Sequence, residues 1–208
     1  MMRCFRWGVF LAASAALAAD APAPSKPMMV SEAKLPQGFP APGPVGEVIV
    51  KTYPAHRLAR TAAAEGGDNR MFMRLFGHIK RNDIAMTAPV TMDWSGEPAE
   101  RGGPESMAFL YATPDLGAAG PDPADAAVTV EDIPEVTVVS IGLRGGYGEK
   151  TFRKGAEQLE AWLAAHPEWE PAGPPRMLAY NSPFVPGLVK YSEIQRPIRP
   201  APKPAPQP

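Results

Sequence analysis

The feature that most constrains this 208-residue chain is an internal repeat. A Gly-Gly pair stands at Gly66-Gly67 and again at Gly145-Gly146, and Phe72 and Phe152 recur in the helical stretches that follow, about 80 residues apart. The order of elements around each pair is the same. Residues 47–53 (EVIVKTY) and 56–63 alternate as strands about a Pro54-Ala55 turn. Asp68 or Asn69 caps a helix that runs to about Arg81, and residues 85–94 and 106–113 read as two more strands. The second unit places strands over 127–131 and 135–143 (EVTVVSIGL), a helix over 149–165 closed by His166-Pro167, and strands over 176–180 and 189–194. One strand-strand-helix-strand-strand unit cannot bury a sheet face alone, whereas two can. The expected fold is therefore α+β, with two pseudo-repeats forming a distorted eight-stranded β-barrel or curved sheet and two helices packed on it.

The ends differ from this middle. Arg3 and Arg6 precede an uncharged apolar run over residues 7–17, and Ala16-Leu17-Ala18 fits small-x-small cleavage, so residues 1–18 read as a signal peptide. The run is too short to span a bilayer comfortably, although a short retained anchor is the alternative reading. Processing would remove Cys4, the only cysteine, and with it disulfide and thiolate chemistry. In a bacterium the product would be periplasmic or secreted. Of the 27 prolines, many fall in residues 19–44, read as a linker, and in residues 197–208, read as a disordered tail. The domain proper is expected over residues 45–196. A net charge of -1 gives no mark of a general nucleic-acid or membrane-surface binder.

No nucleophile elbow, phosphate loop, dinucleotide fingerprint or zinc-protease motif occurs, so no enzymatic constellation is recognisable. The two helices differ usefully. In the second, Phe152, Ala156, Leu159 and Leu163 form an ordinary core-facing stripe. In the first, Phe72, Leu75, Phe76 and Ile79 make the expected core face, and Arg70, Arg74, Gly77 and Arg81 fall together on the opposite one. Met71 and His78 lie along one edge of that helix, and Met73 and Lys80 along the other. This outer face reads either as a solvated basic surface or as a ledge for a flat, apolar, anionic ligand. In the second case methionine and glycine supply shape and arginine holds carboxylates.

The stretch MFMRLFGHIKRN (71–82), followed by Met86-Thr87-Ala88-Pro89-Val90, resembles the SOUL/heme-binding protein family. The matching residues are Phe72, Leu75, Phe76, Ile79 and Asn82, with Tyr53-Pro54-Ala55 upstream and Gly145-Gly146-Tyr147 and Tyr180-Asn181-Ser182-Pro183-Phe184 downstream. The resemblance implies two pseudo-repeats and binding of heme or a related tetrapyrrole. It also implies a shallow groove between the outer face of the first helix and the loop joining the last two strands. The residues so implicated are Arg70, Met73 and Gly77 on the helix and Phe184, Val185 and Lys190 at the loop. Thr52 stands where some members place a candidate axial histidine, which leaves His78 as the nearest replacement for a heme-iron ligand. The function expected is a heme-binding carrier, buffer or scavenger rather than an enzyme. A module for another apolar ligand or a protein segment, or a tetrapyrrole-modifying enzyme, are the alternatives. Oligomeric state is not legible.

Overall fold

The structure, a computed structural model, describes residues 33–63, 67–94, 103–182 and 184–202. The proposed signal peptide and the last six residues lie outside this range. The first half runs Val48–Tyr53 (β1), His56–Ala62 (β2), Gly67–Arg81 (α1), Val90–Asp93 (β3) and Ser106–Leu110 (β4). A short Gly120–Asp122 (β5) follows. The second half runs Asp125–Ile133 (β6), Val136–Arg144 (β7), Glu149–Ala165 (α2), Trp169–Pro171 (β8), Arg176–Ala179 (β9) and Tyr191–Pro200 (β10).

The strands form one antiparallel sheet in the order β1-β7-β10-β9-β3-β4-β2-β6-β5, with β8 added to β10. It is a curved, open ten-stranded sheet, two strands more than the repeat predicts and not a closed barrel. The extra strands, β5 and β8, are three residues each and lie where no apolar alternation marks them.

Without β5 and β8 the order is palindromic. Exchanging β1 with β6, β2 with β7, β3 with β9 and β4 with β10 returns the same sequence of neighbours. The repeat is thus a pseudo-two-fold whose axis passes through the central β3–β9 pair. The halves are also interlocked: β1 pairs with β7 of the other half, and β6 with β2.

Alternation of side chains gives the sheet two occupied faces. One carries the large core, where Ala59, Met107, Phe109, Val139, Ile141, Met177 and Ile194 meet Leu75 and Ile79 of α1 and Phe152, Leu159 and Leu163 of α2. Helix α1 packs on β2, β4 and β6, and α2 on β10 and β7. Gly155 lets α2 come close, since a Cβ there would lie 2.3 Å from Ile194.

The other face is covered by a strap, residues 33–46, of which the sequence reading assigns those up to 44 to a linker. Its proline content predicts an extended path, and it is extended, but Leu35 and Phe39 pack against Tyr53, Val138, Tyr180 and Leu58. Backbone bonds from Ala88 to Lys34 and from Gly46 to Gly142 fix its ends. Gly142 is required here, because a Cβ would lie 2.6 Å from the Pro44 carbonyl oxygen. The expected tail is likewise part of the fold up to Pro200. Pro197 sits where β10 passes from β9 to β8 as its partner, and Ile198 continues the apolar face set by Ile194.

Between strap and sheet lies a buried ion pair. Glu193, 0% exposed, receives Lys51 Nζ at 2.6 Å. Its two oxygens also accept from the Gly43 amide, from Ser140 Oγ at 3.1 Å and from Gln195 Nε2 at 3.0 Å. Lys51 in turn donates to the Ala41 carbonyl at 2.9 Å. Burial alone would raise the Glu193 pKa. The Lys51 ammonium, together with the Gly43 amide and the Tyr191 hydroxyl, more than offsets it and holds the carboxyl below its ordinary value. Lys51→Met should strand this carboxylate and destabilise the fold by about 3–5 kcal/mol. Adding Glu193→Gln should recover a substantial part of that loss in chemical denaturation.

Candidate functional site

The two halves are scaffold-equivalent but not filled alike. Matching them by pairing register sets Ala59 on Val139 and Met92 on Met177, and this puts Trp94 and Ala179 in equivalent positions. Trp94 lies stacked on Phe152 of α2, centroids 4.5 Å apart. Phe72, the counterpart of Phe152, has Ala179 where an indole would stand and meets Phe109 edge-on at 5.1 Å instead. The missing indole leaves a groove beside α1.

This groove has two adjoining compartments of about 270 and 290 Å³ that share Phe72, Val90, Ala179 and Asn181. Together they reach the range typical of small-molecule sites, roughly 300–1,000 Å³. The floor is the paired Val90 and Ala179 with Met92 and Met107 beside them. The Met86-Thr87-Ala88 turn walls one end, held by Thr87 Oγ1 donating to the Leu110 carbonyl at 2.6 Å. The other end is polar: Asp68 and Asn69 from the start of α1, Tyr147 from the turn before α2, and Asn181 and Lys190 from the two ends of the β9–β10 loop.

That polar end is built, not incidental. The Tyr147 hydroxyl accepts from the Asn181 amide at 2.7 Å, and Asn181 Oδ1 accepts from the Tyr191 amide at 2.6 Å. Lys190 Nζ sits 4.9 Å from the Tyr147 ring centroid. Burial pushes the Tyr147 phenol up to about 12, although backbone hydrogen bonds at Asn181 and Tyr180 pull the other way. It is therefore a neutral hydrogen-bonding group near neutral pH.

The structure redistributes the residues that the sequence singles out. Lys190 lines the groove. Phe184 and Val185 stand on the loop that borders it, with Phe184 turned to solvent. Met73 is exposed on the flank of α1 next to Phe72, and Arg70 is exposed near its start. The outer face is not an open ledge. Arg74 is paired with Asp125 at 3.1 Å and Arg81 with Asp122 at 2.7 Å, and Arg81 lies over Gly77, 3.2 Å from where a Cβ would be. Helix α1 is rolled so that Met71, Leu75, His78 and Ile79 are buried, while Phe72 and Phe76 are half-buried against the core and Phe72 lines the groove.

His78 lies apart from the groove. It is 3% exposed, its Nδ1 donates to Asp122 at 2.7 Å, and its Nε2 lies 2.7 Å from the Tyr111 hydroxyl. Both ring nitrogens are engaged on the β5–β6 side of α1, and His78 is not among the residues that line the groove. Neither remaining histidine lines the groove. His56 Nδ1 donates to the Pro54 carbonyl at 2.8 Å and its ring meets Phe39 of the strap, while His166 Nδ1 donates to the Trp162 carbonyl at 2.7 Å. Thr52 points from edge strand β1 toward Thr137, 3.2 Å away. Among the described residues no group of three or more metal-binding side chains converges. The groove residues missed by sequence reasoning are Met92, Met107, Tyr147 and Asn181 as a set, because strand pairing, not spacing, brings them together.

Residues 46–197 match the model of the SOUL heme-binding protein family, and the chain belongs to that family. A comparison with curated proteins gave no match. Among solved structures, the C-terminal domain of EcmrR is similar, at 17% identity, TM-score 0.53, and coverage of 74% of this chain and 98% of that one. In the EcmrR–DNA complex the match spans 58% of the EcmrR chain. An uncharacterised conserved protein from Listeria innocua is similar at 8% identity and TM-score 0.55, covering 75% of this chain and 94% of that one. At these identities the likeness is one of fold.

The His78 network makes an acid-range prediction. Burial alone would raise the Asp122 carboxyl, but His78, the Ala124 amide and Arg81 pull it down to about 2 from an ordinary 3.8. Its contribution to stability should be complete above about pH 4 and lost as pH falls through about 2. Asp122→Asn should flatten that part of an acid-unfolding curve followed by circular dichroism.

Proposed function

We propose that this protein binds heme or a related tetrapyrrole in the groove beside α1 and acts as an exported carrier, buffer or scavenger. The observation that carries this reading is the Trp94/Ala179 asymmetry, which opens an apolar slot at one of two equivalent positions in a member of a heme-binding family. Its chemistry suits an amphiphilic planar ligand. Phe72, Val90, Met92 and Met107 offer apolar and polarisable contact, and Lys190 offers a cation for a carboxylate at the polar end. The groove holds no histidine, so iron would be left to a thioether, to the Lys190 amine or to solvent. Tyr147 and Asn181 there are tied to each other and to backbone, which favours holding a ligand over turning it over.

Titration of the purified protein with hemin should give a saturable Soret change without a bis-histidine low-spin spectrum. Ala179→Trp should refill the slot and weaken binding at least tenfold with little change in melting temperature. The outer-face pair Arg70→Glu with Met73→Asp should have a much smaller effect. No Soret response from the wild type at micromolar hemin, or equal binding by Ala179→Trp, would sink the proposal.

A further inference from the structure

The β9–β10 loop carries the most exposed large apolar side chains among the described residues, Phe184 at 94% and Leu188 at 90%. Residues 181–191 contain no acidic side chain. Two cations stand at the loop's base. Lys190 is its last residue, and Arg144 donates to the Val189 carbonyl at 2.9 Å. We propose that this loop docks on an anionic lipid surface, with Phe184 and Leu188 entering the interface and Arg144 and Lys190 meeting the headgroups.

Charge, exposed apolar area and partial local pairing of the backbone together favour lipid over a protein partner. A segment that moves toward apolar surroundings gains from pairing its own amides. Four of the loop's amides pair within it. The Phe184 amide donates to Ser182 Oγ and the Val185 amide to the Ser182 carbonyl, at 3.3 and 3.1 Å. The Val189 and Lys190 amides donate to the Pro186 carbonyl at 3.0 and 3.2 Å, and Pro186 has no amide hydrogen to satisfy. The tip is also preshaped by the short 3-10 turn Gly187–Val189. Its apolar side chains are therefore presented outward by an ordered backbone rather than by a coil that must fold on contact. Basic groups behind an apolar tip are the arrangement that anionic headgroups and acyl chains reward together.

Docking rests chiefly on Phe184, Leu188 and Arg144, with Lys190 shared with the groove's polar end, so failure here would leave the hemin titration untouched. The loop does border the groove's polar end, and docking would bring that end near the bilayer.

The test uses the full chain with Cys4→Ser and Leu188→Cys, labelled at position 188 with an environment-sensitive fluorophore. A local label is needed because the apolar N-terminal run could bind vesicles by itself. A second sample carries the label at Ala118→Cys, in the loop before β5. Vesicles of phosphatidylcholine with roughly 30% phosphatidylglycerol should blue-shift the label at 188 but not at 118 at low ionic strength, and added salt should reverse much of the shift. Phe184→Ser in the labelled chain should weaken the response at least tenfold, and Arg144→Glu should weaken it for anionic vesicles. No shift at 188, or an equal shift with pure phosphatidylcholine, overturns the proposal. A shift that follows protein concentration without vesicles also overturns it, in favour of a second copy covering the loop.

Discussion

The Lys51–Glu193 pair is the interaction on which the rest of the structure depends. Lys51 belongs to the first half and Glu193 to the second, and β7 lies between their strands. A buried pair of this kind contributes little net stability against an apolar substitute, yet removing one partner is costly. What it supplies here is register. Slipping β1 by one residue on β7 would turn Lys51 to the helix-covered face and leave Glu193 without its cation. Because the Gly43 amide and the Ala41 carbonyl complete the cluster, the same register also fixes the strap.

With register fixed, the pseudo-two-fold sets where a ligand site can form and side-chain volume sets whether it does. Trp94 closes one of the two equivalent positions by stacking on Phe152, and Ala179 leaves the other open. A near-symmetric fold thus yields a single groove. The groove crosses the central strand pair, so its floor is rigid, while its polar end is shared between a helix start and a loop. A rigid floor with an adaptable rim suits a ligand recognised by shape more than by a dense set of hydrogen bonds.

Much of this was legible in the sequence, for identifiable reasons. The Gly-Gly pairs and strand alternation mark the repeat, because turn chemistry and period-two burial are local. The motif around Met86 and Val90 marks the family and a groove wall. The interlocking of the halves was not legible, since alternation says which side of a strand is apolar but not which strand lies next to it. His78 shows the same limit on a helix. A helical wheel places it correctly on the Met71 edge, but the wheel cannot say that β5 and β6 cover that edge and bring Asp122 to meet it. The strap was misread because its prolines outweigh two informative residues, Leu35 and Phe39. Lys51 and Glu193 left a usable signal, each a charge at an inward position of an apolar strand, whose pairing across 142 intervening steps no local pattern reveals.

The exchange of outer strands between halves bears on how such a chain could have arisen. A single half would keep β1 or β6 as an arm with no partner in its own chain, as do subunits that complete each other by trading an edge. Two copies of one half could have satisfied both arms reciprocally and given a symmetric pair with two identical clefts. Joining the copies in one polypeptide frees the two positions now held by Trp94 and Ala179 to diverge. One can then be plugged for cohesion while the other is kept open, a division of labour that identical subunits cannot make.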